Sequence, residues 1–233
     1  MGKIKERIRH RFIQSGPGRQ LTLLRTNIIL LVALLIMIFL MPVIPFEVRI
    51  LTRILLILVA ISGLFAAEFS RYTFRILFVF ATGLISVIVL GVFFEQSDLL
   101  RNLSFSLSTL FYILITIALV THVAGSKEVK SSTLLCAVNS YLLIGLSLSM
   151  IFVLLELIIP GSFNIPDADE NEFSTFLYYG FVTLTTLGYG DILPLTPLAR
   201  SVASFTALFG QLYLVTIMAF LIGKYLNTKK QDS

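Results

Sequence analysis

Five long stretches of this chain carry no charged side chain: residues 26–46, 76–94, 102–126, 131–155 and 201–223. A helix needs about 20 mostly apolar residues to cross the roughly 30 Å hydrocarbon core of a bilayer, and each run is close to or above that length. Of the 233 residues 57% are hydrophobic and 13% charged, more apolar surface than a soluble domain of this size has use for. The fold class is therefore all-α integral membrane. A sixth run, 54–67, is short, and becomes a span if Arg49 and Arg53 extend their charged ends to the near surface. The first run reads as a retained span, since it exceeds the apolar length of a cleavable leader and no small-residue cleavage site follows it.

With six crossings and the amino terminus inside, the inner segments are 1–25, 68–75, 126–133 and 224–233. They hold all of the 18 lysines and arginines except Arg49, Arg53, Arg101 and Arg200, a strong positive-inside bias. This predicts a multi-pass protein of the cell membrane with both termini cytoplasmic. Residues 173–190 are also uncharged, but a seventh crossing there would put Lys224, Lys229 and Lys230 outside. The segment is better read as dipping into the membrane and returning, which irregular backbone can do only where protein buries it or water reaches it. The expected division is a basic segment 1–25, a four-helix membrane domain 26–130, a domain 131–226 around the returning segment, and a short tail 227–233. The basic start suits anchoring on anionic lipid.

Within the returning segment stands "TLTTLGYGD", residues 183–191. A short helix from about residue 173 to 185 would enter carboxyl end first, and its negative dipole end favours a cation at mid-membrane. Beyond it, Gly188 and Gly190 allow backbone dihedrals closed to other residues, so that successive carbonyls of residues 186–190 can face one side. One such strand is costly in lipid, whereas four around an axis form oxygen rings that replace the water shell of a bare cation.

Thr183, Thr186, Gly188, Tyr189 and Gly190 form T-x-x-T-x-G-Y-G, followed by Asp191, and in this the chain resembles the tetrameric potassium channels over roughly residues 131–224. The resemblance implies a four-fold homotetramer of six-helix subunits, each with a re-entrant pore helix and a selectivity-filter loop, passing potassium passively. Potassium would be the permeant ligand, held by backbone oxygens of Thr186, Leu187, Gly188 and Tyr189 and by the Thr186 hydroxyl, with Gly190 closing the filter. Leu187 stands where valine is commoner. Tyr178 and Tyr179 stand where many members carry tryptophans, and a bond from Tyr179 to Asp191 would keep the usual brace behind the filter, supported by Thr183. By the same resemblance Gln211, Leu214, Met218 and Ile222 line the pore, the last two as a hydrophobic constriction, and Gly210 is either a hinge or a point of close helix approach.

Asp191 joins Asp167, Asp169, Glu170 and Glu172 in an acidic outer mouth that could concentrate cations, or these are ordinary solvated loop residues. Glu156, at the outer end of the fifth run, is expected either to reach the interface or to brace that mouth. Residues 102–125 contain no lysine or arginine, so the fourth helix is no voltage sensor of the usual kind. The chain has no catalytic constellation, and its single Cys136 leaves no disulfide within the chain and no thiol metal cluster. Its basic residues flank spans rather than forming a nucleic-acid face, and no soluble partner or cofactor is implied. Rival functions are a cation channel that also passes sodium, a secondary transporter, and a membrane scaffold. Gly-Tyr-Gly argues against the first, and the lack of repeated halves against the second.

Overall fold

The computed structural model describes residues 17–40, 49–93, 98–126, 129–165 and 172–231. In chain order these form α1 (Pro17–Leu40), α2 (Arg49–Phe65), α3 (Arg71–Phe93), α4 (Asp98–Gly125), α5 (Ser131–Ile158), β1 (Phe163–Asn164), α6 (Glu172–Leu184), β2 (Leu193–Pro194) and α7 (Pro197–Gln231). Among the described residues, five helices are long and apolar enough to cross a membrane: α1, α3, α4, α5 and α7. With 17 residues, α2 rises about 26 Å at 1.5 Å per residue, just short of the hydrocarbon thickness.

Two helices extend beyond the uncharged runs that mark them in the sequence. α1 begins at Pro17 rather than near residue 26. Proline suits the first turn of a helix, whose N–H groups have no partner anyway, and Arg19 and Arg25 interrupt an uncharged run without interrupting a helix. α7 likewise continues to Gln231, beyond the division at 226, because lysines are good helix formers. Residues 1–16 lie outside the described structure.

α5 is the central element, with α1, α4, α6 and α7 all packed on it. Lipid is as apolar as leucine, so helices in a bilayer gain little by merely hiding apolar surface from one another. They associate through close packing and hydrogen bonds. Both are present. The side chain of Phe181 on α6 lies over Gly145 of α5, and Ser149 of α5 fills the space beside Gly180 of α6. Tyr112 on α4 donates to the Leu56 carbonyl of α2 at 2.7 Å, and the Thr116 and Ser147 hydroxyls join α4 to α5 at 3.2 Å. Asn139 of α5 donates to both the carbonyl and the side-chain oxygen of Asn27 on α1 at 3.0 Å. Asn27 in turn donates to the Ala66 carbonyl at 2.6 Å, just beyond α2. Tyr213 of α7 donates to the Ala137 carbonyl of α5 at 2.8 Å. Cys136 is buried in α5.

A two-residue antiparallel ribbon closes the region between α5 and α7, pairing Phe163 with Pro194 and Asn164 with Leu193. Whatever lies between α6 and β2 is therefore held at both ends.

Candidate functional site

α6 ends where the backbone turns left-handed. Thr185 still donates to Phe181 at 3.0 Å in the helical pattern, but Thr186 has φ 61°. A positive φ in a β-branched residue crowds its own side chain against the backbone, costs on the order of 1–3 kcal/mol and persists only where neighbours enforce it. The neighbours here are identifiable. The N–H of Thr186 donates to the Thr183 carbonyl at 3.0 Å, and those of Leu187 and Gly188 both donate to the Val182 carbonyl, at 2.9 and 3.3 Å.

Gly188 and Gly190 continue the pattern with φ 60° and 81°, while Leu187 and Tyr189 between them do not share it. Alternating handedness turns successive N–H groups to one side of a strand and leaves the carbonyls on the other. The N–H groups of 186–188 are the ones tied back to α6. Leu187 and Tyr189 are 54% and 67% exposed, so these large side chains are not covered by the rest of the chain.

The brace behind this strand differs from expectation by one position. Tyr178, not Tyr179, donates its hydroxyl to Asp191, at 2.6 Å. The Tyr178 hydrogen bond is the main reason the Asp191 carboxyl lies below its ordinary range. Tyr179 is one helical step round, and its side chain turns inward instead and is buried. It joins Phe152, Phe163 and Phe176 in edge-to-face contacts with centroids 4.9–5.6 Å apart. This aromatic cluster welds α5, β1 and α6 together. Aromatic spacing along α6 alone did not reveal it, because Phe152 and Phe163 come from other elements.

Glu156 reaches the same region from α5. One carboxylate oxygen accepts the Gly161 N–H at 2.7 Å and the other the Phe163 N–H at 3.1 Å. It thereby fixes the turn between α5 and β1, whose partner β2 directly follows Asp191 and Ile192. A reversal at Gly161, with φ 79°, makes that geometry possible.

On the inner side, Gly210 of α7 sits against the end of α6. A Cβ there would overlap the Leu184 carbonyl oxygen and lie 2.8 Å from Leu184 Cδ1. Of the two roles considered for Gly210, close approach is the one seen. The next residue, Gln211, donates from Nε2 to the Thr186 hydroxyl at 3.2 Å. Leu214 is 40% exposed. The side chains of Met218, Ile222 and Glu172, and residues Asp167, Asp169 and Glu170, lie outside the described structure.

The site is thus a strand of alternating handedness, seated on a short helix between two long apolar ones. Residues 141–227 match the family model of an ion channel. The match takes in most of α5, all of α6 and the 186–190 strand, and most of α7, so the matched residues contain the site. No curated protein and no solved structure matches the chain. With its apolar helices the protein is a membrane protein, and residues 141–227 are similar to an ion channel.

Proposed function

We propose that the protein is a potassium-selective channel, formed by four copies around one central pore with passive flux through it. The observation that carries this is the alternation of φ at Thr186, Gly188 and Gly190 together with N–H groups bonded back to α6. A strand so held leaves its carbonyls on the opposite side as cation ligands, and four strands complete each ring. Potassium is the cargo, bound by the backbone oxygens of Thr186, Leu187, Gly188 and Tyr189 and the Thr186 hydroxyl.

Four-fold assembly is supported by what one subunit leaves uncovered. Leu187, Tyr189 and, on α7, Phe205, Leu208, Leu212 and Val215 have no cover of their own, and one strand cannot surround an ion. A closed ring is the ordinary symmetric solution. α2 serves as the sixth span with Arg49 and Arg53 at one surface, and both termini are cytoplasmic. Residues 102–125 bring no basic charge into the field, so opening does not depend steeply on voltage.

The test is Gly188→Ala in protein reconstituted into vesicles. A Cβ at φ 60° is strained whatever space surrounds it, so potassium-driven flux should lose its preference over sodium or vanish. Unchanged preference would overturn the assignment.

A further inference from the structure

Gln211 stands apart from the other residues of the inner helix, because its amide meets the strand itself. The residue before it brings it there. Gly210 lacks a side chain, so α7 presses directly on the Leu184 carbonyl at the end of α6. That contact places the following residue at the strand's inner end, where Gln211 Nε2 lies 3.2 Å from Thr186 Oγ1. Thr186 is also the one non-glycine residue among those described with positive φ.

We propose that Gln211 is a positioning residue for the inner end of the conducting strand: its amide holds the Thr186 hydroxyl and with it the left-handed backbone. This proposal rests on the channel function proposed above. A hydroxyl has two lone pairs and one rotatable hydrogen. With one lone pair accepting from Gln211, the hydrogen is limited to the two remaining positions, and in one of them the other lone pair is directed at the ion. Without the amide the hydroxyl turns freely and one restraint on a strained residue is gone. The innermost cation site then becomes looser.

Barium, a divalent cation close to potassium in radius, reports on that site when applied from the inner face. In planar bilayers Gln211→Met, which keeps length and removes the donor, should weaken internal barium block about five-fold, the worth of one neutral hydrogen bond. Gln211→Asn keeps the amide but not the reach, and should weaken block equally. In a Thr186→Ala background, where the acceptor is gone, Gln211→Met should have no further effect. Barium protection of the purified protein against heating gives the same comparison for any variant that passes no current.

Native-like block in Gln211→Asn would overturn the proposal, since polarity of the cavity would then suffice. So would an equal effect of Gln211→Met with and without the Thr186 hydroxyl. Unchanged barium affinity with intact potassium preference removes this proposal alone. Absence of potassium current in the unmodified protein removes the channel function and this proposal with it.

Discussion

Replacing Gly210 by alanine tests the packing of α7 against α6 at a point of close approach. The added Cβ would meet the Leu184 carbonyl oxygen, with Leu184 Cδ1 at 2.8 Å and the carbonyl carbon at 3.2 Å. The leucine side chain could rotate aside. The carbonyl could not, because it belongs to the last turn of α6 and the strand of residues 186–190 hangs from that turn. α7 must therefore withdraw. Overpacking in a close-packed site costs about 1–3 kcal/mol, and an obstacle made of backbone places this case near the upper value. Alanine returns about 1 kcal/mol through its better helix propensity. The net loss is about 2 kcal/mol, equivalent to a Tm lower by about 4–8 °C for a chain of this size. Thermal unfolding of the detergent-solubilised protein measures it. Adding Leu184→Ala should recover only part of the loss, since the carbonyl remains. An unchanged or raised Tm in Gly210→Ala would refute the packing argument, and altered opening at unchanged Tm would restore the hinge.

Tyr178→Phe should let the Asp191 carboxyl return toward its ordinary 3.8, followed by carboxylate titration, whereas Tyr179→Phe should leave it in place. Because the folded value is depressed, the contribution of this pair is present above 3.8 and is lost only as pH falls through the lower, folded value. Glu156→Ala strips both the Gly161 and Phe163 N–H groups of their acceptor and should cost about 1.5–3 kcal/mol. Glu156→Gln keeps one acceptor oxygen and should fall between Ala and the unmodified protein in Tm. Asn139→Ala severs α5 from Asn27 and should cost about 1 kcal/mol, within the range of interhelical hydrogen bonds in membranes, read as a small fall in Tm.

The helices and the special strand were legible in the sequence because each depends on local chemistry. Uncharged length marks a span, and Gly188 and Gly190 mark positive φ. Contacts between elements were less legible. Tyr178 and Tyr179 are adjacent on a helix, so which one faces Asp191 depends on the rotation of α6. That rotation is fixed by Gly180 against Ser149 and by the Phe152, Phe163 and Tyr179 rings. Glu156 was identified as a brace or an interfacial acid, but its partners are backbone groups, which no side-chain pattern can reveal. The Asn27–Asn139 pair links residues 112 positions apart, and nothing in either helix's hydropathy pattern points to it. α1 and α7 extend past the uncharged runs for a simpler reason: charge ends an apolar run, not a helix.

The central claim is that the 186–190 strands form a potassium filter. Reversal potentials of the purified protein in planar bilayers, under a potassium gradient against sodium, test it most directly. A filter of this kind predicts a reversal potential close to the potassium equilibrium value, which collapses in Gly188→Ala. A reversal potential near zero with potassium opposed to equal sodium, or no current at all, would contradict it.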